Sequence, residues 1–189
     1  FPKAPWDKLR RIAYKRANVV TVQFDSFKNF DGARFATKTC VTANVVDIPA
    51  VTKNDYSCEK VKFVTIGRLS SIKRMDLMIE LFDEAQKKCP EIELHIFGDG
   101  AEKEKLHNLI NEKNLGDNVF LRGYCNDVHK TLCEHDVYLM TSRQEGFPNS
   151  LSEAMAVGLP SVSFACHDGI VELTEDGKNG FAVPEGNRE

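Results

Sequence analysis

Glu145-Gly146-Phe147-Pro148-Asn149-Ser150-Leu151-Ser152-Glu153-Ala154-Met155-Ala156-Val157-Gly158-Leu159-Pro160 is the stretch on which the reading of this chain turns. It follows a short apolar run, Val137-Tyr138-Leu139-Met140, whose length and β-branched and aromatic character fit a buried strand. A polar loop, Thr141-Ser142-Arg143-Gln144, separates the two. Beyond Pro148, Leu151, Met155 and Leu159 recur every four residues, the spacing of one helix face, and Gly158 and Pro160 end the run. The order is therefore strand, loop and helix, with Ser161-Val162-Ser163-Phe164 as the next strand.

The first N–H groups of a helix have no partner inside it, and the helix dipole adds partial positive charge there, so the loop before Ser150 can hold an anion. Gly146 lets a ligand approach the main chain closely. Glu145 in the loop and Glu153 in the first helical turn can accept hydrogen bonds from hydroxyl-rich groups, such as a sugar and a ribose. Simpler roles exist for both. Ser150-x-x-Glu153 is also a capping box, in which Glu153 only reaches back to the Ser150 N–H, and Glu145 can be a solvated loop charge.

Outward from this stretch, the same alternation continues. Phe63-Val64-Thr65-Ile66 reads as a buried strand with Gly67 and Arg68 at its end and Lys73 five residues on, two cations that suit a diphosphate or serve as loop charges. Met75, Met78, Ile79, Phe82 and Ala85 mark a helix, the methionines as core. Glu93–Phe97 is the next strand, with His95 a packed side chain. Gly98-Asp99-Gly100 lacks the third glycine of a dinucleotide fingerprint, since position 103 is Lys103, and reads as a tight turn into the helix of Leu106, Leu109 and Ile110. Val119–Leu121 is a strand ending at Gly123-Tyr124, and Asp127–Leu132 a short helix. Gly169–Leu173 is a further helix, Asp176–Gly180 a turn and Phe181–Val183 a last strand. Strands alternating with helices predict an α/β fold, a Rossmann-like parallel sheet with helices on both faces and ligands off the carboxyl ends of its strands. Towards the amino end, a helix over Pro5–Arg16, a strand at Val19–Val22, a short helix over Ser26–Phe35 and a strand at Cys40–Ala43 precede an aperiodic polar stretch from Ile48 to Glu59.

Composition narrows the class. The 189 residues have room for one α/β domain and part of a second. The net charge of −3 hides an asymmetry: Phe1 to Arg16 carries +5 and the remainder −8, which disfavours a nucleic-acid footprint. The basic helix, with Trp6, Leu9 and Ile12 on one face, can be an ordinary domain helix or rest on an anionic membrane surface. Six scattered cysteines without Cys-x-x-Cys read as free thiols, and His129, Cys133 and His135 lack the fourth ligand of a structural zinc site. No stretch nears the ~20 apolar residues of a membrane span, and the chain does not begin with methionine, as expected of a piece of a longer protein.

Glu, seven residues and Glu, with Gly-Phe-Pro-Asn inside and Glu-Ala-Met-Ala-x-Gly-x-Pro after, resembles the signature of the retaining group 1 (family 4) glycosyltransferases, whose architecture is the two-domain GT-B fold. The resemblance implies a nucleoside diphosphate sugar donor, with Glu145 beside the sugar and Glu153 on the ribose. It implies that Gly146, Phe147, Pro148, Asn149, Ser150 and Leu151 lie against sugar and diphosphate. Gly67-Arg68-Leu69-x-x-x-Lys73 is similar to the family's phosphate loop, making Arg68, Lys73 and Glu145 the catalytic set. The turn at Gly123-Tyr124 would face the base, mostly through main chain. Asn44-Val45-Val46-Asp47 resembles the run closing the acceptor-side domain. The expected division is residues 1–47 as the end of that domain, 48–60 as linker and 61–189 as the donor domain. The family's glycine-rich loop, its histidine near the reacting carbon and its closing helix have no counterpart, so this half is not expected to turn over alone. No Asp-x-Asp occurs, so no cofactor or metal is expected. The acceptor, a glycan or a lipid-linked one, would be met by the absent part, in the cytoplasm or peripherally at the inner membrane face. A nucleotide-sugar epimerase of similar fold and a non-catalytic nucleotide-sugar binding module are the alternatives.

Overall fold

The computed structural model describes residues 6–29, 34–47, 49–53, 55–56 and 59–186. It divides into two compact units, Phe1–Val45 and Val46–Glu189. In the first, helix α1 (Trp6–Arg16) is followed by strands β1 (Val20–Val22) and β2 (Thr39–Val41), which pair in parallel. No residue of α1 is buried, so Trp6, Leu9 and Ile12 stand exposed on a basic helix. The helix expected over Ser26–Phe35 is instead a 3-10 segment, Asp25–Asn29, and residues 30–33 lie outside the described ones.

The second unit is built on six parallel strands in the order β5-β4-β3-β6-β7-β8. These are β3 (Val61–Ile66), β4 (Ile92–Phe97), β5 (Val119–Gly123), β6 (Val137–Met140), β7 (Ser161–Phe164) and β8 (Gly180–Val183). Helices α2 (Met75–Lys88) and α3 (Lys103–Glu112) connect β3 to β4 to β5, moving outward in one direction. The chain then returns through α4 (Val128–Cys133) to lay β6 on the other side of β3, and moves outward again through α5 (Asn149–Ala156) and α6 (Asp168–Leu173). Crossovers between parallel strands are right-handed, so reversing the direction of travel puts the two helix sets on opposite faces.

Two cores follow. On one face Met78, Ile79, Phe82, Leu94, Ile96 and Leu106 pack together; on the other Val64, Tyr138, Met140, Leu151, Ala154 and Ile170 do. Neighbours along a strand go to different faces, as Phe63 and Val64 or Leu139 and Met140 show, because side chains alternate. The face of β6–β8 turned away from α5 is partly bare. There Leu139, Val162 and Phe181 lie in register, and Val162 and Phe181 remain 37% and 54% exposed. A groove of about 660 Å³ runs between Leu139 and Val162 on one side and α2 on the other. No helix among the described residues is long and apolar enough to cross a membrane. Cys40, Cys89, Cys125, Cys133 and Cys166 are free thiols.

Candidate active site

The strand order reverses between β3 and β6. At such a switch point the loops leaving two adjacent strands diverge, and a crevice opens at their carboxyl ends. The loop after β3 begins at Gly67, whose N–H donates to the Phe97 carbonyl at 2.9 Å. Leu69 N–H reaches the Asp99 carbonyl at 3.0 Å, and the Glu102 N–H returns to the Leu69 carbonyl at 3.1 Å. Backbone thus lies on backbone. A Cβ on Gly98 would stand 1.8 Å from the Gly67 oxygen, and one on Gly100 would stand 2.4 Å from the Leu69 oxygen. Gly98-Asp99-Gly100 is therefore a support for the β3 loop as well as a turn into α3.

The β6 loop holds the β3 loop from the other side. Buried Thr141 donates its hydroxyl towards the carbonyls of Lys73 at 3.1 Å and Arg74 at 3.0 Å. The Arg143 N–H donates to the Ile72 carbonyl at 2.9 Å. Arg74, the residue before α2, takes a left-handed φ of 51°. This stitching brings Lys73 and Glu145 together: Nζ donates to Oε1 at 2.6 Å, with the side chains 26% and 10% exposed. Arg68 is exposed and has no hydrogen-bond or ion-pair partner among the described residues.

Helix α5 starts against this pair. Pro148 is its flanking residue, and the Ser152 N–H makes the first helical bond to the Pro148 carbonyl at 3.0 Å. No side chain caps the start, so the capping box of Ser150 and Glu153 is not formed: Ser150 is already the second helical residue. Its Oγ accepts a hydrogen bond at 2.7 Å from the hydroxyl of Tyr138, a fully buried phenol whose pKa burial pushes up to about 12. With its oxygen so engaged, Ser150 keeps its own proton for an acceptor elsewhere. Glu153 is half-buried, and its carboxylate has no hydrogen-bond partner among the described residues. Gly146 and Asn149 are exposed, Phe147 is half-buried and Pro148 buried. Leu151 is wholly buried in the core, so only its main chain belongs to the helix start.

The loop after β7 approaches the same place. Burial first, and the Glu145 charge second, push the Cys166 thiol upward, while burial lowers the pKa of His167 against the opposing pull of Glu145. Neither residue was singled out by the sequence; nor were Tyr138, whose phenol in a buried strand demands a partner, and Thr141. Tyr124, at the end of β5, is 80% exposed and lies two strands from the crevice. Away from the site, His135 Nδ1 meets the Thr131 carbonyl at 2.6 Å and its Nε2 meets His95 Nδ1 at 2.7 Å, a buried pair. Among the described residues no three His, Cys, Asp or Glu side chains gather where they could hold a metal ion.

A doubly wound parallel sheet with cations, carboxylates and an uncapped helix start around its switch point defines a nucleotide-binding α/β domain. The chain belongs to the glycosyl transferases group 1 family, whose model matches residues 51–189. It is 38% identical over 122 residues to a poly(ribitol-phosphate) alpha-N-acetylglucosaminyltransferase of Staphylococcus aureus, covering 65% of this chain and 25% of that protein. It is 36% identical over 131 residues to a Bacillus subtilis poly(glycerol-phosphate) alpha-glucosyltransferase, covering 69% of this chain and 20% of that one. Among solved structures, S. aureus TarM in complex with fondaparinux, alpha-GlcNAc-glycerol and UDP superimposes with a TM-score of 0.86 at 30% identity, over 96% of this chain and 37% of that one. The pneumococcal O-GlcNAc transferase GtfA with UDP and GlcNAc gives 0.75 at 27%, with the same coverage. The fold is thus the donor-binding half of a GT-B glycosyltransferase, and the chain spans well under half the length of these relatives.

Proposed function

We propose that residues 61–189 hold a nucleoside diphosphate sugar, a UDP-sugar, for retaining transfer to an acceptor hydroxyl of a cell-surface glycan or polymer. Residues 1–47 then end the acceptor-side domain. The observation that carries this reading is the Lys73–Glu145 pair at 2.6 Å, a cation and a carboxylate from two different loops meeting at the switch point. Relatives whose names specify sugar transfer to polyol phosphate polymers, and structures solved with UDP, support the donor and acceptor classes.

In this reading the diphosphate lies between the β3 loop and the start of α5. Lys73 and Arg68 donate to its oxygens, and the Ser150 hydroxyl, turned outward by Tyr138, adds a third donor. Glu145, released by Lys73, faces the sugar, and Glu153 accepts from the ribose hydroxyls. The Gly123-Tyr124 turn meets the base. As the bond from the anomeric carbon to the diphosphate breaks, negative charge grows on the leaving group. Fixed cations and helix dipole stabilise it without reorganising. No metal enters this scheme.

Binding measured by calorimetry tests the assignment. Glu153→Gln exchanges a charged acceptor for a half-donor amide, so UDP affinity should fall about tenfold while the melting temperature stays within about 2 °C. Glu145→Gln should leave UDP binding within twofold and weaken only the sugar-bearing donor. Unchanged donor binding in both variants would sink the reading.

A further inference from the structure

The stretch around Lys53, polar and aperiodic in sequence, is bonded into the floor of the second unit. The Lys53 N–H donates to the Val157 carbonyl at 2.8 Å, at the rear of α5, and the Tyr56 hydroxyl reaches the Gly158 carbonyl at 3.3 Å. Lys53 Nζ pairs with Asp136 Oδ1 at 3.0 Å, the two side chains only 7% and 6% exposed. The other oxygen of Asp136 accepts the Lys62 N–H at 2.9 Å. Asp136 immediately precedes β6, and Lys62 belongs to β3. One lysine therefore ties together the amino ends of β3 and β6 and the carboxyl end of α5. Those are the three elements whose far ends supply Gly67–Lys73, Glu145 and Ser150–Glu153.

We propose that Lys53 is a positioning residue for the donor site, setting the height and tilt of α5 from behind. The inference rests on the donor site proposed above. Helix α5 has eight residues and so is about 12 Å long. A rod so short transmits a shift at its rear to its front. Its sides are held by Leu151 and Ala154, apolar contacts that resist separation more than sliding, and its front by the Tyr138–Ser150 hydrogen bond, about which the rear can still tilt. Directional bonds at Val157 and Gly158 fix the axial position, and they satisfy carbonyls that a helix end leaves open. Two apolar side chains of matching shape could replace a buried ion pair with little loss of stability. They would not hold α5 to β3 and β6 at a fixed register.

That difference supplies the test, made on the 189-residue chain with UDP as the probe. Lys53→Met alone strands a buried carboxylate and should lower the melting temperature markedly. The double variant Lys53→Met, Asp136→Asn removes both charges and should recover most of that loss. Its UDP affinity should nevertheless stay at least fivefold below wild type, with amide exchange at Ser152 and Glu153, the first hydrogen-bonded amides of α5, at least tenfold faster in the ligand-free protein. Lys53→Arg should keep both near wild type. A double variant that regained wild-type stability, affinity and exchange together would make the pair structural only. If the wild type bound no UDP, the donor reading would fail, and amide exchange alone would decide the role of Lys53.

Discussion

Gly98→Ala is a demanding test of how the β3 loop, Gly67–Lys73, is held, because Gly98 lies outside the loop and outside the proposed donor contacts. A Cβ at this position would lie 1.8 Å from the Gly67 carbonyl oxygen, about 1.5 Å inside an ordinary C···O contact of about 3.3 Å. The backbone φ of +142° is itself unfavourable for alanine. Strain of this kind costs about 1–3 kcal/mol, and overpacking against immobile backbone a similar amount. We therefore expect a loss of about 3–4 kcal/mol in urea unfolding, or roughly 6–16 °C in melting temperature. Relief requires Gly67 and the loop after it to retreat by about 1 Å, a displacement that degrades positioned contacts severely, so UDP affinity should drop at least tenfold. Gly177→Ala is the control: φ there is +76° with no atom within 4 Å of the new Cβ, so only conformational strain of about 1–2 kcal/mol is expected, with UDP affinity unchanged. If Gly98→Ala cost no more than Gly177→Ala and bound UDP equally well, the backbone support inferred for the loop would be wrong.

Arg68→Ala removes an exposed cation with no partner among the described residues, so stability should stay within about 0.5 kcal/mol while calorimetry shows UDP binding weakened about fivefold. Lys73→Ala should cost stability as well, since it leaves the largely buried Glu145 carboxylate unpaired. A protein joining this half to its acceptor side should keep its transfer rate in excess chelator, because Arg68, Lys73 and the α5 start offset the diphosphate charge; activity restored only by magnesium or manganese would refute that. Burial pushes the His95 pKa down to about 4, below its unfolded value of 6.5, so its contribution is full above pH 6.5 and is lost as pH falls towards 4. His95→Gln should therefore flatten the stability difference between pH 6.5 and 4.5 by about 2 kcal/mol in urea titrations; parallel pH profiles would rule the histidine out as the cause.

What the sequence disclosed and what it hid have physical reasons. Central strands of a parallel sheet carry apolar residues towards both faces, so β3 and β6 announce themselves as apolar runs, and the helices between the strands as four-residue spacings. The expected helix over Ser26–Phe35 had no such repeat to support it, and a 3-10 turn stands in its place. The capping box has the right spacing, but Pro148 starts α5 early enough that Ser150 is already inside it. Gly98 was legible as a turn residue; the carbonyl that forbids a side chain there comes from Gly67, at the start of the loop after β3. Lys73 with Glu145, and Lys53 with Asp136, are separated by 72 and 83 positions, and pairing across such distances leaves no periodic trace.

The division of the second unit into two cores also has a consequence in time. The core on the α2 face is made of residues from Leu69 to Val119, with Phe63, Leu109, Leu121 and Leu139 packed against it. Nearly all of it exists before β6 has been synthesised. The core on the other face needs Leu132 through Ile170 and closes on Val64, a residue made long before. A ribosome adding about 5–20 residues per second delivers Glu145 roughly 4–14 s after Lys73. The β3–β5 half can thus collapse around α2 and α3 first, with the edge of β3 that β6 will occupy still open. The β3 loop can gain its support from Gly98 and Gly100 in that first phase, whereas Thr141, Arg143 and Glu145, which hold its other side, arrive in the second. A nascent chain stalled near residue 125 would carry Arg68 and Lys73 without the carboxylate that pairs with Lys73, beside an unpaired strand edge. In this fold, the step that adds β6 and α5 to the open edge of β3 is also the step that brings Glu145 to Lys73, with β7 and β8 still to follow.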